Sequence, residues 1–247
     1  MKINPLHSYW LVIISSLCTA YYCSLAVIKQ LTGQINRTWV DKTIQRWCAQ
    51  LLKILDTQLI VVNPHHVVPS PHKATIIMCN HTSLYDIPLS YRTFPKHSIR
   101  MLAKKEIEKV PFMGKAMRAA EFPFIDRKNR AQAIQDLEKA RTLMKDGVML
   151  WIAPEGTRSS NGKLGPFKKG AFITAIQAQA IIIPIGIRGA HEVLPARTFR
   201  YGTHQKVEVH IGAPIDASLY TIETKDELIQ RTHTVMKELV GQADEFH

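Results

Sequence analysis

His81 and Asp86 stand with four residues between them in the run Asn80-His81-Thr82-Ser83-Leu84-Tyr85-Asp86. Across a strand-to-helix turn, that spacing lets a carboxylate reach one imidazole nitrogen while the other faces an open cleft. A carboxylate so placed fixes the tautomer and stabilises the imidazolium that forms on proton uptake. The histidine can then act as a general base toward a hydroxyl. No G-x-S-x-G segment occurs, so the acceptor hydroxyl would come from a substrate and not from an elbow serine. The same residues also admit a structural reading. Ser83 and Asp86 fit an S-x-x-D capping box, or Asp86 is itself the N-cap with Pro88 in the first turn. Spacing alone leaves these alternatives open. A metal centre is not expected, because His65, His66 and His72 fall in a polar, proline-rich loop without ligand spacing.

The elements that would carry these residues are legible as short apolar runs: Leu59–Val62, Thr75–Cys79, Ile99–Ala103, Phe122–Ile125, Val148–Ile152, Ile181–Ile187 and Val207–Ile211. Continuous β-branched or bulky runs of this length suit strands buried on both faces. Helical segments lie between them near Arg130–Lys145 and Ala171–Ala180, and Lys225–Gly241 closes the pattern. The alternation predicts an α/β domain with a mostly parallel central sheet flanked by helices. In open α/β sheets, ligands bind at the carboxyl ends of strands. Two polar clusters sit there, the one at Asn80–Asp86 and a second at Pro154-Glu155-Gly156-Thr157-Arg158-Ser159.

Ahead of this domain, Tyr9 to Ile28 runs 20 residues without a charge, diluted by Ser15, Ser16, Thr19 and Ser24. The length approaches that needed to cross a hydrocarbon core. A spanning helix, a helix embedded in one leaflet and a cleaved signal compete, and membrane attachment is the expectation. Lys29, Arg37, Lys42, Arg46 and Lys53 follow the run, against Lys2 before it, so a spanning helix would leave the body of the chain in the cytoplasm. A second helix is predicted over Asn36–Asp56, where Val40, Ile44, Trp47, Leu51 and Ile54 recur at helical steps. It reads either as a helix packed on the core or as an interfacial one, given Trp39, Trp47 and the basic flanks. The expected division is therefore residues 1–56 as membrane-anchoring helices and 57–247 as the α/β domain.

The net charge of +12 implies an anionic partner: nucleic acid, an anionic bilayer surface or a phosphorylated substrate. Scattered basic residues without an aromatic-basic recognition motif argue against nucleic acid. Cys18, Cys23, Cys48 and Cys79 form no C-x-x-C pair, which suits a reducing compartment.

Taken in order, the clusters become specific. Asn80-His81 through Asp86 resembles the N-H-x-x-x-x-D motif of the glycerolipid acyltransferases, in particular the 1-acylglycerol-3-phosphate (lysophosphatidate) acyltransferase branch. Phe124-Ile125-Asp126-Arg127 resembles the second block of that family, Pro154–Ser159 the third, and Ile183-Pro184-Ile185 the fourth. Ala103-Lys104-Lys105-Glu106 and Phe167-Lys168-Lys169-Gly170 match the same branch. The resemblance implies a catalytic pair, His81 as base and Asp86 orienting it. It implies a phosphate pocket of Arg127 and Arg158, shaped by Glu155, Gly156 and Thr157, with Lys105 and Lys168 as further binding candidates. The physics agrees, since guanidinium groups bind phosphate bidentately and glycine lets the backbone approach a ligand closely. In isolation Arg127 reads as an ion-pair partner of Asp126, Glu155 as one of Arg158, and Arg158 as an exposed turn residue.

The implied reaction is transfer of a fatty acyl group from acyl-CoA or acyl carrier protein to the sn-2 hydroxyl of lysophosphatidate at a phospholipid membrane, with the donor as co-substrate and no cofactor. Another lyso-lipid acceptor, such as lysophosphatidylglycerol or a lyso-ornithine lipid, is the near alternative. A non-catalytic lipid-binding membrane protein is the distant one, and the intact His81 and Asp86 speak against it. Two departures bear on acyl-chain preference and local packing. Ala119-Ala120-Glu121 stands where the family often carries glycine, and Ala153 where an aromatic is common.

Overall fold

The computed structural model describes residues 5–70 and 72–242. In chain order, α1 (Pro5–Leu31) and α2 (Arg37–Ile54) lead into β1 (Gln58–Val62) and β2 (Thr75–Cys79). Next come α3 (Asp86–Thr93), β3 (Ile99–Met101), β4 (Ala103–Lys104), α4 (Met113–Ala119) and β5 (Phe124–Ile125). Then follow α5 (Arg130–Lys145), β6 (Met149–Ile152), α6 (Lys169–Gln177), β7 (Ile181–Arg188) and α7 (Ala190–Val193). Strands β8 (Lys206–Ile211) and β9 (Ile215–Asp216) and helix α8 (Lys225–Leu239) complete the described chain.

The main sheet has the order β1-β8-β7-β2-β6-β3, with β9 added beside β7. Strands β7, β2, β6 and β3 are mutually parallel, while β8 runs antiparallel to β7. The expected mostly parallel sheet is therefore present, and the carboxyl ends of β2, β6 and β7 meet along one edge. Alternate residues feed two cores. Ile77, Cys79, Trp151, Ile183 and Ile185 pack with α2 and α3 on one face. Ile76, Met78, Leu150, Ile152 and Ile182 pack with α5, α6 and α8 on the other. Full burial of each such aliphatic side chain contributes about 1.5–3 kcal/mol, which holds the strand ends in place.

Two predicted strands depart from their apolar runs: Ile99–Ala103 divides between β3 of the main sheet and β4 of a separate one, and Phe122–Ile125 pairs only in part. Of Phe122–Ile125 only Phe124–Ile125 pairs, with β4 in a separate two-stranded sheet. Pro123 lacks an amide proton, and Glu121 turns the chain at φ +62, so pairing cannot start earlier.

The first helix buries its small and polar side. Ser8, Leu11, Ser15 and Ala26 are buried, whereas Tyr9, Trp10, Ile13, Leu17, Tyr21, Ile28 and Leu31 are exposed. Two of the residues that dilute its hydropathy face the protein, whereas Ser16 is exposed: Ser15 Oγ lies 3.5 Å from the Tyr85 hydroxyl, and Thr19 Oγ1 accepts from Trp47 Nε1 at 3.1 Å. Over His7–Leu31 it is long and apolar enough to cross a membrane. Helix α2 buries Val40, Thr43, Cys48, Leu51 and Leu52, and Cys48, Leu51 and Leu52 belong to the same core as the sheet. The core-packed reading of that helix therefore describes it better than an interfacial one.

Candidate active site

The site grows from the end of β2. Asn80 continues the sheet with its side chain: Nδ2 donates to the Ile187 carbonyl at 3.0 Å and Oδ1 accepts from the Ile187 amide at 2.8 Å. A buried amide used as a strand surrogate locks β2 to β7 where the backbone must turn away. The next residue is held on both sides of its backbone. The His81 amide donates to Glu155 Oε1 at 3.0 Å, and its carbonyl accepts from the Ser159 amide at 2.7 Å. Glu155 Oε2 accepts from the Gly165 amide at 2.8 Å. Burial pushes the Glu155 carboxyl above the ordinary range, against the pull of those two amides. The Pro154–Ser159 loop is thus a cradle for the His81 backbone, and Glu155 is engaged there and not with Arg158.

The His81 ring meets Asp86 at 2.9 Å, Nδ1 to Oδ2. Oδ2 also accepts the amides of Thr82 at 2.7 Å and Ser83 at 2.8 Å. Helix α3 starts after Tyr85 with no side-chain cap, so Asp86 is not its N-cap; one carboxylate oxygen instead holds the turn before the helix and orients the histidine. A carboxylate can only accept, so Nδ1 carries the proton and Nε2 is the free base. Asp86 is fully buried, whereas the His81 side chain retains 15% exposure. The second face of the ring is set by Trp151, whose ring stands at 81° to it with centroids 5.6 Å apart. Trp151 Nε1 donates to Ser90 Oγ at 2.9 Å, and Ser90 Oγ donates to the Asp86 carbonyl at 2.7 Å. Cys79, fully buried with its thiol pushed well upward by that burial, is no nucleophile.

The basic candidates divide. Gly156, at φ +77, offers its carbonyl to Arg127 Nη1. A Cβ there would stand 3.3 Å from Arg127 Nη1 and 3.5 Å from Lys168 Cγ, so these two side chains converge on a turn whose positive φ favours glycine. Arg127 is not paired with Asp126, whose oxygens accept the Lys128 and Asn129 amides and meet Lys105 Nζ at 3.4 Å. Lys105 is thus engaged at the turn before Arg127. Arg158 is half-buried between Thr157, which is exposed, and Ser159, whose amide touches His81. The guanidinium of Arg158 forms no ion pair among the described residues. The result is a partly protected imidazole beside a rim carrying Arg127, Arg158 and Lys168, suited to an anionic ligand with a reactive hydroxyl.

Four contributors were not singled out from sequence. Asn80 was read as part of a motif but not as a strand surrogate. Trp151 lies in the apolar run Val148–Ile152, and Ser90 lies on α3 four residues after Asp86. Asp136, buried on α5, holds the Asp126 amide at 3.0 Å and so the turn carrying Arg127; its signal is an acid on the inward face of a helix.

Beside the dyad lies an apolar cleft between α1, α2, α3 and α4. Ile87, which follows Asp86, lines it together with Tyr22, Trp39, Met101, Met117 and Phe122.

The chain is similar to known proteins in sequence and fold. The family model described as Acyltransferase covers residues 59–188. An uncharacterized acyltransferase of Schizosaccharomyces pombe is 35% identical over 199 residues, spanning 78% of this chain and 69% of that protein. The 1-acyl-sn-glycerol-3-phosphate acyltransferase of Haemophilus influenzae is 30% identical over 234 residues, 93% of each chain. The crystal structure of the 1-acyl-sn-glycerophosphate acyltransferase of Thermotoga maritima superposes with a TM-score of 0.79 at 25% identity, covering 97% of this chain and 95% of that one. With this coverage and this fold, the chain belongs to the acyltransferase family and is an O-acyltransferase.

Proposed function

We infer that this chain acylates the sn-2 hydroxyl of 1-acyl-sn-glycerol 3-phosphate, using acyl-CoA or acyl carrier protein as donor and yielding phosphatidate. The observation that carries the reading is the His81–Asp86 hydrogen bond, with Nδ1 committed to Oδ2. His81 Nε2 takes the proton of the acceptor hydroxyl as its oxygen attacks the thioester carbonyl. The tetrahedral intermediate collapses, the carbon–sulfur bond breaks, and the imidazolium returns its proton to the departing thiolate. General-base help of this kind contributes about 10²–10⁴-fold. Arg127, Arg158 and Lys168 take the phosphate, with Gly156 permitting close approach. The apolar cleft beside α3 takes an acyl chain.

The outward apolar side chains of α1 support residence in a phospholipid membrane, and the basic residues that follow α1 support a cytoplasmic catalytic domain. The names carried by relatives from bacteria and animals support lysophosphatidate as acceptor.

A panel of lyso-lipid acceptors, each offered with both donors to the purified full chain in mixed micelles, tests the reading. Lysophosphatidate should give the highest kcat/KM. Preferred use of lysophosphatidylglycerol or a lyso-ornithine lipid would overturn the acceptor assignment. Absence of acyl transfer to every acceptor would overturn the reaction.

A further inference from the structure

Resting on the reading of His81 as the base, we propose that Gln242, just past the end of α8, is a positioning residue: its side-chain amide pins the loop that braces the His81 backbone. Gln242 Oε1 accepts from the Leu164 amide at 2.9 Å, and Nε2 donates to the Gly162 carbonyl at 2.8 Å. Only one orientation of the side-chain amide satisfies both partners. The next amide along the loop, that of Gly165, donates to Glu155 Oε2 at 2.8 Å, and Glu155 Oε1 takes the His81 amide at 3.0 Å. Two successive amides are therefore fixed, one by Gln242 and one by the carboxylate that holds His81. A Cβ on Gly165 would stand 3.1 Å from Glu155 Oε2, so the loop lies directly on that carboxylate. The loop begins at Ser159, whose amide meets the His81 carbonyl at 2.7 Å and whose hydroxyl donates to the Lys163 carbonyl at 2.8 Å. Both sides of the His81 backbone thus lean on one loop, which Ser159 closes from within and Gln242 from outside.

The Gln242 backbone is itself fixed. The Gly241 amide donates to the Glu238 carbonyl at 3.0 Å and the Gln242 amide to the Lys237 carbonyl at 2.8 Å, with Gly241 at φ +73. This pair of bonds is a Schellman turn, which sets the direction of the chain as it leaves the helix. Arg188, at the end of β7, donates from Nε to the Leu239 carbonyl at 2.7 Å and from Nη2 to the Glu238 carbonyl at 3.1 Å, placing a cation at the negative end of α8. Gly186 lets that end lie on the sheet, since a Cβ there would stand 2.6 Å from the Leu239 carbonyl carbon.

Arg188 directly follows Ile187, the residue to which the Asn80 side chain is bonded. One strand end therefore fixes the His81 backbone by two routes: directly through Asn80, and by way of α8, Gln242 and the loop. A catalytic group displaced by about 1 Å loses rate, so the second route acts on kcat and not on substrate binding.

Gln242→Ala removes both bonds. Gln242→Glu keeps the acceptor for Leu164 and loses the donor to Gly162. Neither change touches the Schellman turn, which is made by the backbone, so the fold is retained; circular dichroism checks both variants. In the purified full chain, kcat should fall about five-fold in Gln242→Ala and by less in Gln242→Glu, with KM for lysophosphatidate and for the thioester unchanged. Combining Gln242→Ala with Glu155→Gln supplies a readout that a merely stabilising contact would not move. Because Gln242 acts through Glu155, Gln242→Ala should lower the kcat of the Glu155→Gln protein by less than about two-fold. Unchanged kcat in folded Gln242→Ala, or losses that multiply in the double variant, overturns the positioning role and leaves His81 as the base. Wild-type turnover by folded His81→Ala protein overturns the base, and the positioning role with it.

Discussion

Asp86 Oδ2 accepts three hydrogen bonds at once, from His81 Nδ1 and from the amides of Thr82 and Ser83. Holding the turn before α3 and orienting the ring are therefore one function of one oxygen. Replacing Asp86 with Asn supplies an acceptor of lower charge and a competing donor. Turnover should fall about 10²–10⁴-fold, and the melting temperature should fall as well, because the buried amides of Thr82 and Ser83 lose a charged acceptor. Steady-state kinetics and calorimetry on the same preparation check both effects.

Glu155 braces the His81 backbone through both of its oxygens. Glutamine has one acceptor and would face an amide donor with its own NH₂, a loss of about 1–3 kcal/mol. Glu155→Gln should lower kcat about ten-fold or more while leaving KM for both substrates nearly unchanged. A rise confined to the lysophosphatidate KM would instead place Glu155 in the phosphate pocket.

Arg158 makes no ion pair among the described residues, and Arg127 spends one N–H on the Gly156 carbonyl. Arg158→Ala should raise the lysophosphatidate KM about ten- to hundred-fold, the loss of a charge-assisted hydrogen bond, with little change in the thioester KM. Arg127→Ala should do the same and also loosen the Gly156 turn. Equal loss toward both substrates would show these arginines to be structural.

Glu121 pairs with Arg37 at 2.8 Å, and that pair holds its carboxyl below the ordinary glutamate range, chiefly through the side-chain hydrogen bond. A depressed folded pKa gives stability that is present above the unfolded value, about 4.3, and lost as pH falls through the folded one. The gap in melting temperature between wild type and Glu121→Gln should thus be full at neutral pH and close on acidification. The pair is part-exposed, so high salt should narrow the gap too. A gap independent of pH would remove the charge from the account.

Much of this was legible in the sequence for a physical reason. Strands β2, β6 and β7 are buried on both faces, so their apolar runs are continuous, and α2 and α5 lie within the segments where a helix is predicted. Less legible was the stretch from Leu102 to Pro123. It holds one two-residue strand and a short helix entered through Phe112 at φ +59, too brief for periodicity to register. Arg100 sits in a run that patterns as apolar strand, and its burial makes sense only through Asp41, 59 positions earlier. Trp151 patterns as core because it is core; its role, and that of Ser90, appears only when β6 and α3 are placed side by side.

The central claim is that His81 Nε2 is the base that activates the acceptor hydroxyl. The most direct measurement is thiol release and diacyl product formation by purified His81→Ala protein, folded by circular dichroism, with lysophosphatidate and an acyl thioester at saturation. The account predicts loss of at least about 10²-fold in kcat with acceptor binding retained. Turnover near the wild-type rate in that folded variant would contradict it.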